Sequence, residues 1–238
     1  MIPTLNSAPK YEVEIPSTGK TVRFRPYTVK EEKVLLSAGH DTDGDSYHML
    51  RAIADTIKSC MVEDVDVNDF TVYDINYVFS NIRSKSAGEI VDLKIKCSEC
   101  SVQNDVAIDI DIQTIEDKPY TTEVDLGQGF SVEMEYLRFG KMIEDKILME
   151  GNQGDPEVRI QLVAASIAVI KTPDERFVAA DSPMEEIVAF VDSMNPAQFD
   201  KIWEFVGNPP KLLYEFKFDC ISCGHHNAET LGKQQDFF

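Results

Sequence analysis

Four of the five cysteines in this 238-residue sequence fall into two pairs of identical spacing, Cys97-Ser98-Glu99-Cys100 and Cys220-Ile221-Ser222-Cys223. Two such pairs arising by accident among five cysteines is an event of roughly a few in a thousand, so the spacing asks for a cause. A CxxC turn presents two sulfurs along one edge of a tetrahedron, and two turns complete a four-cysteine shell of the kind that holds structural zinc. Glycine follows the second pair at Gly224, where a knuckle needs a positive φ, whereas Ser101 stands at the matching place after the first. The pairs lie about 120 positions apart, far beyond the spacing of roughly 15–20 residues usual in a zinc ribbon. One ion bound by Cys97, Cys100, Cys220 and Cys223 would therefore join distant parts of the chain, and loop closure over such a length costs little more than over a short one.

Three further chemistries compete with a single shared ion. Two separate sites would need outside ligands, which His225 and His226 could supply to the second pair but nothing nearby supplies to the first. A metal-free vestige is the second competitor. A redox pair is the third, although a thioredoxin-like pair sits at a helix start and both pairs here read as strand-to-strand turns. Cys60 reads as a buried helix residue. The sequence holds no HExxH, GxxxxGK[ST] or GxSxG. Asp41-Thr42-Asp43-Gly44-Asp45 has its glycine two positions early for a calcium loop, and Ala52 stands where the closing glutamate belongs, so a solvated loop flanked by His40 and His48 is expected. The carboxylates are dispersed, and no catalytic or cofactor-binding residue is assigned.

The elements that position the cysteines can be read from periodicity. Tyr11–Pro16 and Thr21–Arg25 alternate in polarity around Ser17-Thr18-Gly19, a hairpin. Thr28 to Glu31 forms a capping box for a helix to about Ser37. Helices follow at about 47–60 and 71–86, the latter with Val72, Ile75, Phe79 and Ile82 on one face and Gly88 after its end. Strands flank the first CxxC, with Val91, Leu93 and Ile95 before it and Val106, Ile108, Ile110 and Ile112 after it. Residues 117–129 read as a linker rich in acids, Pro119 and Gly127. Beyond it come a strand at 130–137, helices at 139–150 and 156–170, a helix capped by Ser182-Pro183-Met184-Glu185, and another begun by Asn195-Pro196. A strand carrying Tyr214, Phe216 and Phe218 leads into the second CxxC.

The same order of elements in both halves, with echoes such as Leu93-Lys94-Ile95-Lys96-Cys97 and Phe216-Lys217-Phe218-Asp219-Cys220, suggests a diverged duplication. The expected fold is α+β, with two helix-rich pseudo-repeated lobes, each carrying a small antiparallel sheet and a CxxC turn. Its parts would be an arm at 1–10, a first lobe at 11–116, a linker at 117–129, a second lobe at 130–232 and a tail at 233–238.

Composition limits the function classes. A chain 43% hydrophobic and 27% charged can build a core. A net charge of −19 opposes general binding to nucleic acid or anionic membranes. Residues 1–10 lack the basic-then-apolar pattern of a signal peptide, and the longest apolar stretch, near Leu162–Ile170, is too short to span a bilayer. A cytosolic site of synthesis is expected, where paired thiols more often hold metal than form disulfides. Arg23, Arg25, Lys30 and Lys33 form a local basic cluster in an acidic chain. Phe237-Phe238 end a polar tail that could dock on another subunit.

The stretches Tyr11-Glu12-Val13-Glu14-Ile15-Pro16-Ser17-Thr18-Gly19-Lys20, Val22-Arg23-Phe24-Arg25-Pro26-Tyr27-Thr28-Val29-Lys30-Glu31-Glu32-Lys33-Val34-Leu35-Leu36 and Asp74-Ile75-Asn76-Tyr77-Val78-Phe79, then Arg83-Ser84-Lys85-Ser86-Ala87-Gly88-Glu89, resemble the baseplate hub assembly proteins of T-even-type contractile phages. The likeness is clearest over about residues 11–100. It implies a phage tail protein made in the host cytoplasm, a non-enzymatic assembly factor or minor structural subunit with other hub or tail proteins as partners, and possible retention in the virion baseplate. An acidic factor of this kind could shield a basic or sticky partner surface until assembly. The competing class is a zinc-ribbon nucleic-acid-binding or transcription factor, which the CxxC pairs permit and the charge opposes.

Overall fold

The computed structural model describes residues 9–40, 46–111, 113–116, 118–145, 147–148, 151–152 and 154–231. The Asp41–Asp45 loop, nearly all of the N-terminal arm and the whole of the C-terminal tail lie outside the described residues. The fold is α+β with small antiparallel sheets, as the alternation and helical periodicities require. The chain divides into two compact units, one formed by Met1–Val67, Tyr73–Glu116 and Lys211–Phe238, the other by Asn68–Val72 and Asp117–Pro210.

In the first unit, β1 (Tyr11–Ile15) and β2 (Lys20–Phe24) pair as a hairpin that buries Val13, Ile15, Val22 and Phe24 on one face. Its turn is tied to α3 (Val72–Ala87): the Ser17 amide and hydroxyl both donate to the fully buried Asp74 carboxylate, at 2.9 and 2.6 Å. Helix α1 (Val29–His40) starts directly after Thr28, and of the expected capping box the glutamate half forms while the threonine hydroxyl donates instead of accepting. The Thr28 amide and hydroxyl donate to Glu31, and Arg25 donates to its other oxygen at 3.0 Å. Burial raises the Glu31 pKa, but these bonds and the Arg25 charge outweigh it and bring the pKa down to about 2. Helix α2 (Ser46–Cys60) ends against β2, where the Arg25 amide donates to the Cys60 carbonyl at 2.9 Å. Helix α3 buries Ile75, Phe79 and Ile82 as expected, and Gly88, at φ 105°, releases the chain into β3 (Ile90–Lys96). That strand pairs with β4 (Gln103–Asp109) over seven residue pairs.

The C-terminal hairpin belongs to this unit, which corrects the expected second lobe. Strand β10 (Leu212–Asp219) pairs with β11 (His226–Leu231) and with β5 (Thr114–Ile115), and it lies beside β4. Tyr214, 1% exposed, shares a 2.8 Å hydroxyl bond with Ser80 of α3 and donates to Gln113 at 3.3 Å. Burial of Tyr214 and Phe216 thus draws the last strands back to the first part of the chain.

The second unit is a four-stranded antiparallel sheet in the order β6 (Thr121–Gly127), β7 (Phe130–Glu135), β8 (Ile167–Lys171), β9 (Arg176–Val178), with helices packed on its apolar face. Its core gathers Leu126, Val132, Met134, Val163, Ile167, Ile187, Val191 and Ile202. The expected linker 117–129 contains strand β6. Its acids Glu123 and Asp125 are exposed while Leu126 is buried, and Gly127 and Gly129, at φ 85° and 82°, form the turn into β7. Helix α4 (Phe139–Glu144) is shorter than its expected span. The helix expected over 156–170 stops at Ser166: α5 (Pro156–Ser166) gives way to β8, where β-branched Ile167, Val169 and Ile170 pair with β7. Helix α6 (Met184–Asp192) has Pro183 as its N-cap and no side-chain cap, so the Ser182 box does not form. Helix α7 (Pro196–Val206) is capped reciprocally by Asn195 and Gln198.

Removing only the Tyr214 hydroxyl tests what holds the last hairpin in the first unit. Tyr214→Phe leaves the buried Ser80 hydroxyl short of a partner and should lower unfolding free energy by roughly 1–3 kcal/mol. Ser80→Ala in addition should recover part of that loss in urea denaturation.

Candidate metal centre

The two CxxC segments are hairpin tips. Cys97–Cys100 joins β3 to β4, and Cys220–Cys223 joins β10 to β11. The antiparallel registers explain why each tip is tight, since Lys96 pairs with Gln103 and Asp219 with His226. Within each tip the backbone makes the same two bonds. The Cys97 amide donates to the Val102 carbonyl and the Ser101 amide to the Cys97 carbonyl, both at 2.9 Å. The Cys220 amide donates to the His225 carbonyl and the Gly224 amide to the Cys220 carbonyl, again at 2.9 Å. Both tips require a left-handed residue after the second cysteine. Gly224 supplies it at φ 71° without cost, and Ser101 adopts it at φ 59°.

The four sulfurs converge. All lie within 4.8 Å of one another, with Cys97 to Cys223 at 3.8 Å and Cys100 to Cys220 at 3.5 Å. Four ligands about 2.3 Å from a central ion stand about 3.8 Å apart, so this quartet has the size of a tetrahedral thiolate shell and could hold a metal ion. All four cysteines belong to the first compact unit.

The local field favours thiolate at the first cysteine of each tip. Backbone amides of Cys223 and Ser222 aim at Cys220, the Ser222 amide at 3.4 Å, and lower its pKa to about 6. Amides of Cys100 and Glu99 lower Cys97 in the same way, helped by the Asn227 side chain. At Cys223 the His225 amide acts downward, but the Cys100 thiol, desolvation and the other sulfurs outweigh it and push the pKa up to about 12. Sulfurs this close resist ionising together without a cation among them.

The four cysteines stand in hairpin turns as their spacing predicts, and two buried asparagines that cysteine spacing does not reveal stand beside them. Asn104 and Asn227, 3% and 2% exposed, each stand four positions after the second cysteine of a tip, giving CxxCxxxN twice. His225 and His226 are exposed, and His226 bonds Asp219 at 2.7 Å. Cys60 is fully buried at the end of α2, 0% exposed, and burial raises its pKa. Arg23 and Arg25 of the basic cluster face carboxylates, pairing with Glu63 at 2.7 Å and Glu31 at 3.0 Å.

Thiol accessibility separates the quartet from the fifth cysteine. In native protein treated with a chelator, iodoacetamide should label the exposed Cys100 and Cys223 and leave Cys60 unmodified until the chain unfolds. Peptide mapping reads the difference, and early labelling of Cys60 would contradict its burial.

No helix among the described residues is long and apolar enough to cross a membrane. Comparison with curated proteins and with solved structures finds no match for this chain. Residues 8–238 match one family throughout, so hairpins, sulfur quartet and second unit fall within a single family span, and the chain belongs to the T4 bacteriophage base plate protein family.

Proposed function

We propose that this chain is a non-enzymatic structural or assembly subunit of the phage baseplate hub, acting through protein–protein contacts, with a zinc ion held by Cys97, Cys100, Cys220 and Cys223. The observation that carries the metal assignment is the convergence of four sulfurs within 4.8 Å from two distant parts of the sequence. Four thiolates fill a tetrahedral shell and leave no position for water or substrate, so the ion serves structure. Family membership supports the setting. The partners are then other hub or tail proteins, met in the host cytoplasm during assembly, and the site of action is the tail baseplate. An assembly role suits the strongly acidic surface, which can shield a basic partner.

The zinc clip joins the C-terminal hairpin to the β3–β4 hairpin inside one unit, so the unit closes only when the last strands have been made. The repeat that the sequence echoes suggest is confined, in this reading, to the two hairpin tips and their flanking strands.

Metal analysis and complementation test the proposal together. Purified protein should carry one zinc per chain. Cys97→Ser/Cys100→Ser and Cys220→Ser/Cys223→Ser should each abolish binding, and a phage lacking this gene should form few complete baseplates when supplied with either variant. Absence of metal, two ions per chain, or full particle yield from both variants would overturn it.

A further inference from the structure

The two asparagines reach across to the opposite tip. The Ile221 amide, in the second tip, donates to Asn104 Oδ1 at 2.9 Å. The Ser98 amide, in the first tip, donates to Asn227 Oδ1 at 3.0 Å, and the Ser98 hydroxyl donates to the same oxygen at 2.8 Å. Each asparagine also anchors itself to its own hairpin: Asn104 Nδ2 donates to the Val102 carbonyl at 2.8 Å, and Asn227 Nδ2 to the His225 carbonyl at 3.0 Å. The pattern is a pseudo-twofold exchange, with equivalent atoms in equivalent roles on both sides. Asn227 alone adds a contact from Nδ2 to Cys97 Sγ, at 3.6 Å.

We infer that Asn104 and Asn227 are positioning residues that lock the two CxxC tips in register, so that four sulfurs are preset for one ion. This rests on the zinc reading above. The residue after the first cysteine of each tip has an amide that its own turn leaves unused, and a buried side-chain oxygen from the other hairpin takes it. An asparagine is suited to both tasks at once, since its carbonyl oxygen accepts and its amide nitrogen donates. A serine or alanine at either place could not span the two tips. The CxxCxxxN doublet is therefore one recognition unit used twice, each copy completing the other.

Crosswise effects distinguish this role from ordinary packing. In the zinc-loaded full-length protein, the Ser98 and Ile221 amides should exchange slowly with solvent, although they sit at hairpin tips. Asn227→Ala should speed exchange at Ser98 while Ile221 stays protected, and Asn104→Ala should do the reverse. Each substitution should weaken zinc binding roughly 10–100-fold in competition with a chelating indicator. Rapid exchange at both amides in the unsubstituted protein would overturn the inference without any variant having to fold. Unchanged zinc affinity, or loss of protection in the substituted hairpin alone, would also overturn it. If the unsubstituted protein takes up no zinc, the metal reading falls and this inference with it. If it binds zinc and the variants match it, only the asparagine role falls.

Discussion

Four sulfur atoms held within 4.8 Å of one another are the constraint around which the first unit is organised. Thiolates at that separation repel, and a divalent cation among them would offset the repulsion. The rest of the unit makes the convergence easy to reach. Strand β10 is already bound to β5, and Tyr214 is already buried against Ser80, so the second tip arrives with its position nearly set. Zinc binding in small peptides supplies on the order of 10 kcal/mol or more, and an ion in this quartet would act on two hairpins already paired rather than on a disordered chain.

The chain path gives this arrangement its functional meaning. Most of the second unit is a segment inserted between β5 and β10, with its own sheet and apolar core. The first unit therefore draws on residues from both sides of the insertion. A metal ion in the sulfur quartet would tie the strands that follow the insertion to those that precede it.

How much of this was legible in the sequence depended on range. Cys97, Cys100, Cys220 and Cys223 could be read because a knuckle is a local object whose spacing is fixed by its own turn. The hairpin at Tyr11, the helix start at Thr28 and the buried face of α3 were readable for the same reason. Which unit the last hairpin joins was not, because it is decided by non-local pairing of Leu212 and Leu213 with Ile115 and Thr114. Composition misled at 117–129, where acids mark the exposed face of β6 and glycines mark its turn. Ile167–Ile170 could not be told from a continuing buried helix, since a short apolar run fits both until its pairing partner is known. Asn104 and Asn227 were visible at matching positions, but an asparagine shows its purpose only when the opposite hairpin is in place.

X-ray absorption at the zinc edge of the full-length protein tests the central claim most directly. A single shell of four sulfurs at about 2.3 Å is the predicted result. A shell containing nitrogen or oxygen, or fewer than four sulfurs per ion, would contradict a clip made by both CxxC tips.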